Sequence, residues 1–550
     1  MLAVGAFYAR RIHSLDSYFA GGKQLPWWLA GVSFLMSYVS ALSIVVYAGL
    51  GYQFGLTALS IYWTTVPATI LITLTLARRW RRTGIITPVE FLETRFSAFL
   101  RQVFAWSGVP LKVIDEGLKI VAIGIFVSVG TGLKPAEAMI AVGLITLAYT
   151  TMGGLWAVVI TDFAQFVLVT TVIVMLLPLS LRAAGGWRRF MAQAPRGFFH
   201  PVHWPYGWTY VGAFFVLSTL SLAGNWSLIQ KFYSTRSDRE CRRVGWLASF
   251  LFLILPPLWI LSGMAARIFL APAGIDPQTV YARLSASLLP PGMLGLVVAA
   301  LFAATMSVLS SGYNVTAAVL TVDVHQRWIH PRASPDELLV VGRVLTCAIG
   351  LLALALALAV TDFHWTIFNT MVEAFSFFLP PTVLPMLAGL LSRRLSSRGA
   401  LAGFAVGILA GAALLGYQAW ARPANAASFQ EWSIFLPTAL TLLTLCGAAL
   451  WLPAQGAEGE QVARFFLRLE EPAALTSDRE VASPAPIVGL VILVMGLVLT
   501  LLGSGIVGVH ANGLTASTGA FFVAIGIWMR GGRAMRAVST LFWRRPRGAR

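Results

Sequence analysis

The sequence predicts an all-α, polytopic membrane protein. Hydrophobic residues make up 57% of the 550-residue chain and charged residues only 11%, with a mean hydropathy of +0.77. A water-soluble chain of ordinary composition does not carry that much apolar surface. Apolar runs of about 20 residues, the length that crosses a hydrocarbon core, recur from end to end. Basic residues gather in alternate connections between these runs, as they do in loops held on the cytoplasmic side.

Taken in order, the runs fall at 28–50, 56–78, 107–130, 137–152, 157–181, 208–229, 243–267, 290–322, 338–360, 364–392, 399–419, 432–453, 485–504 and 513–530. Ahead of them, MLAVGAFYA supplies only about half a span before Arg10 and Arg11. A truncated first helix is expected there, for about 14–15 segments in all. A signal peptide fits poorly, since the run lacks a basic n-region and a small-residue cleavage site.

The formal net charge of +18 does not point to nucleic acid, because the basic residues sit between the apolar runs. If the truncated helix runs inward, the loops with Arg78, Arg79, Arg81 and Arg82, with Lys231, Arg236, Arg239, Arg242 and Arg243, and with Arg393, Arg394 and Arg398 all fall inside, as does the tail WRRPRGAR. The exception is the group Arg182, Arg188, Arg189 and Arg196, which falls outside. The expected topology is N-terminus out and C-terminus in, multi-pass in a plasma or inner membrane and surrounded by lipid. Cys241, Cys347 and Cys446 are scattered, without metal-ligand or disulfide spacing.

Enzymatic chemistry has little foothold. There is no GxxxxGK[ST] loop to hold a nucleotide. The pair in HPVH (His200, His203) lacks the HExxH pattern and reads as an ordinary external loop, while His364 and His510 lie near expected helix ends. The polar connections 182–207, 268–289 and 454–484 are too short for a catalytic domain, and EGEQVARFFLRLEEP (458–472) reads as an amphipathic cytoplasmic helix. Neither an enzyme nor a bound cofactor is expected.

Six segments in order carry a resemblance: SYFAGGKQLPWW (17–28), TPVEFLETRF (87–96), YTTMGGLWAVVITDFAQ (149–165), NWSLIQKFYSTRSDRE (225–240), ATMSVLSSG with its TVD continuation (304–323), and LSRRLSSRGALAGFAVG (391–407). Together they resemble the sodium/solute symporter family, which includes proline, galactose and sialic acid symporters. The resemblance implies a leucine-transporter-type fold of two inverted five-helix repeats, with solute and ion near the bilayer midplane. It divides the chain into 1–27 (truncated helix and cytoplasmic loop), 28–392 (ten-helix transport core) and 393–550 (peripheral helices and basic tail). A monomer is expected, with a small solute and Na+, the coupling ion, as its partners.

Discontinuous helices free backbone carbonyls that can hold a cation where they line a cavity. SYVSALS (37–43) and LAGNWS (222–227) place small or polar residues mid-span at corresponding points of the two repeats. Small residues also serve plain helix packing, and on residue type alone both readings stand. By resemblance, the main sodium site takes the carbonyls of Met36, Val39 and Ala304 with the hydroxyl of Ser307. Ala304, Ser307, Val308 and Ser311 share one helical face through i, i+3, i+4, i+7 spacing. Val308 departs from the family, which usually has a second hydroxyl there, so proton coupling or uncoupled transport is an alternative. A transporter-like sensor is the alternative of another class.

The resemblance further implies an additional sodium site at Asp162, Ser307, Ser310 and Ser311. A carboxylate within a membrane segment is costly and usually functional, although Asp162 can also be read as hydrated at the cytoplasmic mouth. Solute-contacting positions carry over to Tyr38, Leu42 and Ser43, to Asn225 and Ser227, and to Val372 and Glu373. Leu42 and Ser43 lack the polar groups of the sugar carriers. PLKVIDEGLKIVAIGIF (110–126) carries Lys112, Asp115, Glu116 and Lys119, with Lys112–Glu116 and Asp115–Lys119 at i, i+4. Asp115 matches a solute-facing position, while both lysines can be read as snorkelling from the first helical turns.

Overall fold

The structure is a computed structural model describing residues 23–471 apart from 86–89, 151–154, 271–273, 363–365 and 422–425, then 489–504 apart from 491, 495, 498–499 and 502–503, and 513–530. The truncated first helix, 485–488, His364, His510 and the basic tail lie outside the described residues. Within them the chain is helical. Eight helices are long and apolar enough to cross a membrane, and two bent pairs bring that to ten.

The first repeat holds α1 (Trp27–Met36), α2 (Ala41–Phe54), α3 (Leu56–Trp63), α4 (Thr65–Thr75), α5 (Ala77–Arg82), the short α6 (Glu90–Arg95), α7 (Ala98–Thr131), α8 (Pro135–Thr150) and α9 (Leu155–Ala183). After the surface helix α10 (Gly186–Gln193), the second holds α11 (Trp208–Gly224), α12 (Trp226–Tyr233), α13 (Asp238–Ile254), α14 (Pro256–Phe269), α15 (Val280–Leu288), α16 (Pro291–Val319), α17 (Pro335–Asp362) and α18 (Ile367–Leu391). Peripheral helices follow: α19 (Ser397–Ala421), α20 (Ala426–Trp451), α21 (Gly456–Glu470) and α22 (Gly513–Arg530). Past α16 the backbone widens into a π-helical turn over Leu320–Ile329.

Each repeat opens with a broken span. α1 and α2 bend by 60° at their junction, and α11 and α12 by 58°. The repeats enter from opposite ends. The loop before α1 meets the loop after α12 (Leu25 N–H to Ser234 carbonyl, 3.0 Å), whereas the start of α11 meets α20 at the other end (Thr209 Oγ1 to Glu431, 3.0 Å). That is the inverted arrangement expected from the resemblance.

Small residues draw the helices together. A Cβ on Gly263 of α14 would lie 2.2 Å from the Ala48 carbonyl oxygen of α2, and one on Gly224 would lie 2.3 Å from Val383 of α18. Such approaches replace the hydrophobic drive that is missing between helices in lipid.

The basic loops meet at one end. Arg82 donates to Asp238 and to the Leu469 carbonyl, and Arg95 donates to the carbonyls of Gly389, Ser392 and Leu395 at 2.8–2.9 Å. Glu93 accepts from Arg327 at 2.6 and 2.7 Å and from Arg101 at 2.5 Å, and Arg101 also pairs with Asp323. Those bonds, the Arg327 pair first, hold the Glu93 carboxyl down to about 2. α21 buries Val462, Phe465, Phe466 and Leu469, and its Gln461 donates to the carbonyls of Glu93, Thr94 and Phe96. The amphipathic reading of that segment matches this placement.

Two sequence expectations are corrected here. α7 begins at Ala98, not near 107, because Ser97 caps it by accepting from the Leu100 N–H at 3.3 Å. Its charged group therefore lies about four turns in, and the lysines do not snorkel from a first turn. Lys231, counted with the basic loop, is 1% exposed, because α12 continues for two turns past the break before the loop begins.

Candidate functional site

The first break arises at SYVS. α1 stops at Met36, the N–H groups of Ser37 and Val39 return to Ser33 and Leu35 (2.9 Å each), and Ser40 turns extended at φ −133°, ψ −178°. Among the described residues, no turn hydrogen bond ends on the carbonyl of Met36 or Val39. The new N-terminus at Ala41 takes its partner from another helix: its N–H donates to Thr305 Oγ1 of α16 at 3.0 Å. That bond docks the ATMSVLSSG segment against the break, which carries Ala304 and Ser307 there with it. At the second break Asn225 is extended, and its side chain caps α12 by accepting from the Ser227 N–H at 3.0 Å.

Asp162 of α9 lies between the two segments and is 1% exposed. One carboxylate oxygen accepts from Ser33 Oγ of α1 and the other from Ser307 Oγ of α16, each at 2.5 Å. Asp162 is thus held in the core rather than hydrated at a mouth. A hydroxyl that donates to a carboxylate keeps its lone pairs for a cation. Ser310 Oγ donates to the Ser307 carbonyl at 3.0 Å, and Ser311 is half-buried one residue on. Val308 is buried and offers no oxygen. The ammonium of buried Lys231 attracts Asp162 from α12.

Between the breaks lies a cavity. Tyr38, Leu42, Ser43, Asp115 and Asn225, five of the expected solute contacts, line it. Ser40 presents a buried hydroxyl there without a hydrogen-bond partner. Lys119 also lines the cavity. Its ammonium donates to Asp115 at 2.9 Å and to Glu116 at 3.1 Å, while Lys112 lies 3.7 Å from Asp115. The expected Asp115–Lys119 pair forms, whereas Glu116 pairs with Lys119 in place of Lys112. Gly312 of α16 makes room for it: a Cβ there would lie 2.0 Å from Glu116 Oε1.

Three expected contacts fall elsewhere. Val372 is fully buried, and the α18 residues on the cavity wall are Met371 and Phe375. Glu373 accepts from Gln418 of α19 at 2.9 Å, so it faces the peripheral helices. Ser227 is buried beneath the Asn225 cap and does not line the cavity. Sequence reasoning missed Ser33, whose only signal was its i, i+4 spacing to Ser37. It also missed Thr305 as the cap of α2, a contact across 264 residues.

The model of the sodium:solute symporter family matches residues 18–407. The chain belongs to that family. It is 27% identical over 428 residues to the sodium/glucose cotransporter of Vibrio parahaemolyticus, covering 72% of this chain and 78% of that one. To the sodium/sialic acid symporter SiaT of Proteus mirabilis it is 25% identical over 434 residues, covering 74% and 86%. A solved Na+-coupled sialic acid symporter, substrate-bound and outward-open, superimposes with a TM-score of 0.66 at 20% identity, covering 80% of this chain and 95% of that one. A nucleobase-cation-symport-1 family transporter, closed with bromovinylhydantoin bound, gives 0.52 at 14% identity, covering 80% of this chain and 95% of that one. The fold is the leucine-transporter type. The chain is a sodium-coupled symporter of a small solute, and the proton-coupled, uncoupled and sensor readings are not favoured by these relatives.

Proposed function

We propose that this symporter moves a small organic solute bearing an ionised group, an amino acid or a carboxylate, into the cell with Na+. The observation that carries this reading is Lys119 and Asp115 on the wall of the cavity between the two helix breaks. A neutral sugar offers no charge to either group. A carboxylate can take the Lys119 ammonium, and an amine can take Asp115, without leaving a buried charge unpaired. Asn225 and the free Ser40 hydroxyl supply neutral hydrogen bonds beside them.

Sodium binds where Asp162, Ser33 and Ser307 gather, with the Met36, Val39 and Ala304 carbonyls forming the adjacent main site. Ser307 is common to both. With Val308 in place of a hydroxyl, the Asp162 side holds the ion more tightly. Bound sodium joins α1 to α16, so it favours the arrangement that completes the solute cavity, and low cytoplasmic sodium then releases both. The basic-loop end is cytoplasmic, the membrane is the plasma or inner membrane, and a single chain is the working unit.

A thermal-shift screen of purified protein against amino acids, carboxylates and neutral sugars, with and without NaCl, tests this. An ionised solute that stabilises only when sodium is present is the expected outcome. Stabilisation by a neutral sugar alone overturns the solute class, and sodium-independent stabilisation overturns the coupling.

A further inference from the structure

At the basic-loop end, away from the cavity, the π-helical turn after α16 closes when His330 N–H donates to the His325 carbonyl at 2.8 Å. That five-residue closure brings both imidazoles to one side. The first turn of α17 then supplies Glu337. His325 Nε2 lies 2.9 Å and His330 Nδ1 2.8 Å from the same oxygen, Glu337 Oε1, and all three atoms lie within 4.8 Å of one another.

We propose that His325, His330 and Glu337 form a binding site for a divalent transition-metal ion, with Zn2+ the best fit. Zinc bonds of about 2.0–2.1 Å in tetrahedral geometry set ligand atoms about 3.3 Å apart, so each imidazole nitrogen need move from the carboxylate oxygen by only about half an ångström. Two imidazoles with one carboxylate form a three-ligand set that leaves a fourth position for water. Magnesium and calcium prefer all-oxygen sets, so the site discriminates against them. Side-chain exposures of 18%, 52% and 33% give an ion access from water.

The position gives such an ion a consequence. The turn that carries His325 also carries Arg327, which holds Glu93, and Asp323, which pairs with Arg101. A metal joining this turn to the start of α17 fixes the segment on which the mouth's ion pairs depend. Zn2+ is therefore expected to slow any opening at this end.

The test uses the full chain, purified in detergent and stripped with EDTA. Isothermal titration with ZnCl2 is expected to show one ion per chain at micromolar affinity, with no heat from MgCl2 or CaCl2. His330→Ala and Glu337→Gln each weaken that affinity by about tenfold or more. His200→Ala and His203→Ala, at the other end of the molecule, leave it unchanged. No zinc binding up to about 1 mM, or equal affinity in the His330 and Glu337 variants, overturns the proposal. Should a variant not fold, diethyl pyrocarbonate footprinting of the wild-type chain decides. Zinc protects His325 and His330 if the site exists, and equal modification with and without zinc overturns it.

Discussion

Two buried charge clusters share the core of this symporter and are built in opposite ways. Around Asp162 a single carboxylate is met by hydroxyls from two other helices, with Lys231 nearby on a third. Around Lys119 the charges belong to one helix and neutralise one another through i, i+3 and i, i+4 pairs. The first cluster joins elements and leaves oxygen lone pairs free, which suits a small hard cation. The second is complete within α7 and presents one face to the cavity, which suits exchange of partners with a charged solute. Burial alone does not separate them; the origin of the partners does.

The contrast breaks most readily at Lys119. Lys119→Met leaves Glu116 buried without a counter-charge and Asp115 with Lys112 alone, and is expected to cost about 3–5 kcal/mol in denaturant unfolding. If the loss is below about 1 kcal/mol, the cluster is not the closed unit described here.

Asp162→Ala comes next. It removes the acceptor of two hydroxyls and is expected to raise the sodium concentration for half-maximal thermal stabilisation by about tenfold or more, which is about 1.4 kcal/mol. Ser307→Ala moves the same midpoint less far in the same direction. An unchanged midpoint in both would remove sodium from this cluster.

Val308→Ser restores the missing hydroxyl. It is expected to lower the sodium midpoint a few-fold, by less than about 1 kcal/mol. No change would mean that the main site is not the limiting one.

The smallest effect concerns pH at the mouth. Glu93 has a folded-state pKa of about 2, below its ordinary value. Its stabilisation is thus fully present above the ordinary carboxylate range and lost only as pH falls through the folded value. The difference in melting temperature between wild type and Glu93→Gln should stay constant from about pH 8 to 5 and shrink below about 4.5. A difference that already fades between pH 8 and 6 would contradict the arginine clamp.

Hydropathy was enough to place those spans of the described residues that are apolar over their full width, because their composition does not depend on their neighbours. Asp115–Lys119 was legible too, since both partners lie on one helix at fixed spacing. The Ser33–Asp162–Ser307 arrangement was half visible: the resemblance pointed to Asp162 and Ser307, but nothing local marks Ser33 as the third member. Val372 and Glu373 do not line the cavity, and their polar neighbours Asn369 and Ser376, at i, i+4, i+7 with Glu373, mark a stripe that serves the peripheral helices at Glu373 rather than the solute. The start of α7 lies ahead of the apolar span because Arg101 and Gln102 interrupt the apolar run, while the helix itself reaches back to the Ser97 cap.

The hold of Gln461 on three carbonyls at the end of α6 makes the peripheral part of the chain a leash on the transport machinery. A protein shortened before α21 would keep every residue proposed here for sodium and solute. It would still lose the register of the short segment that carries Glu93. A reporter or crystallisation partner is therefore best joined after residue 471, where the leash remains tied.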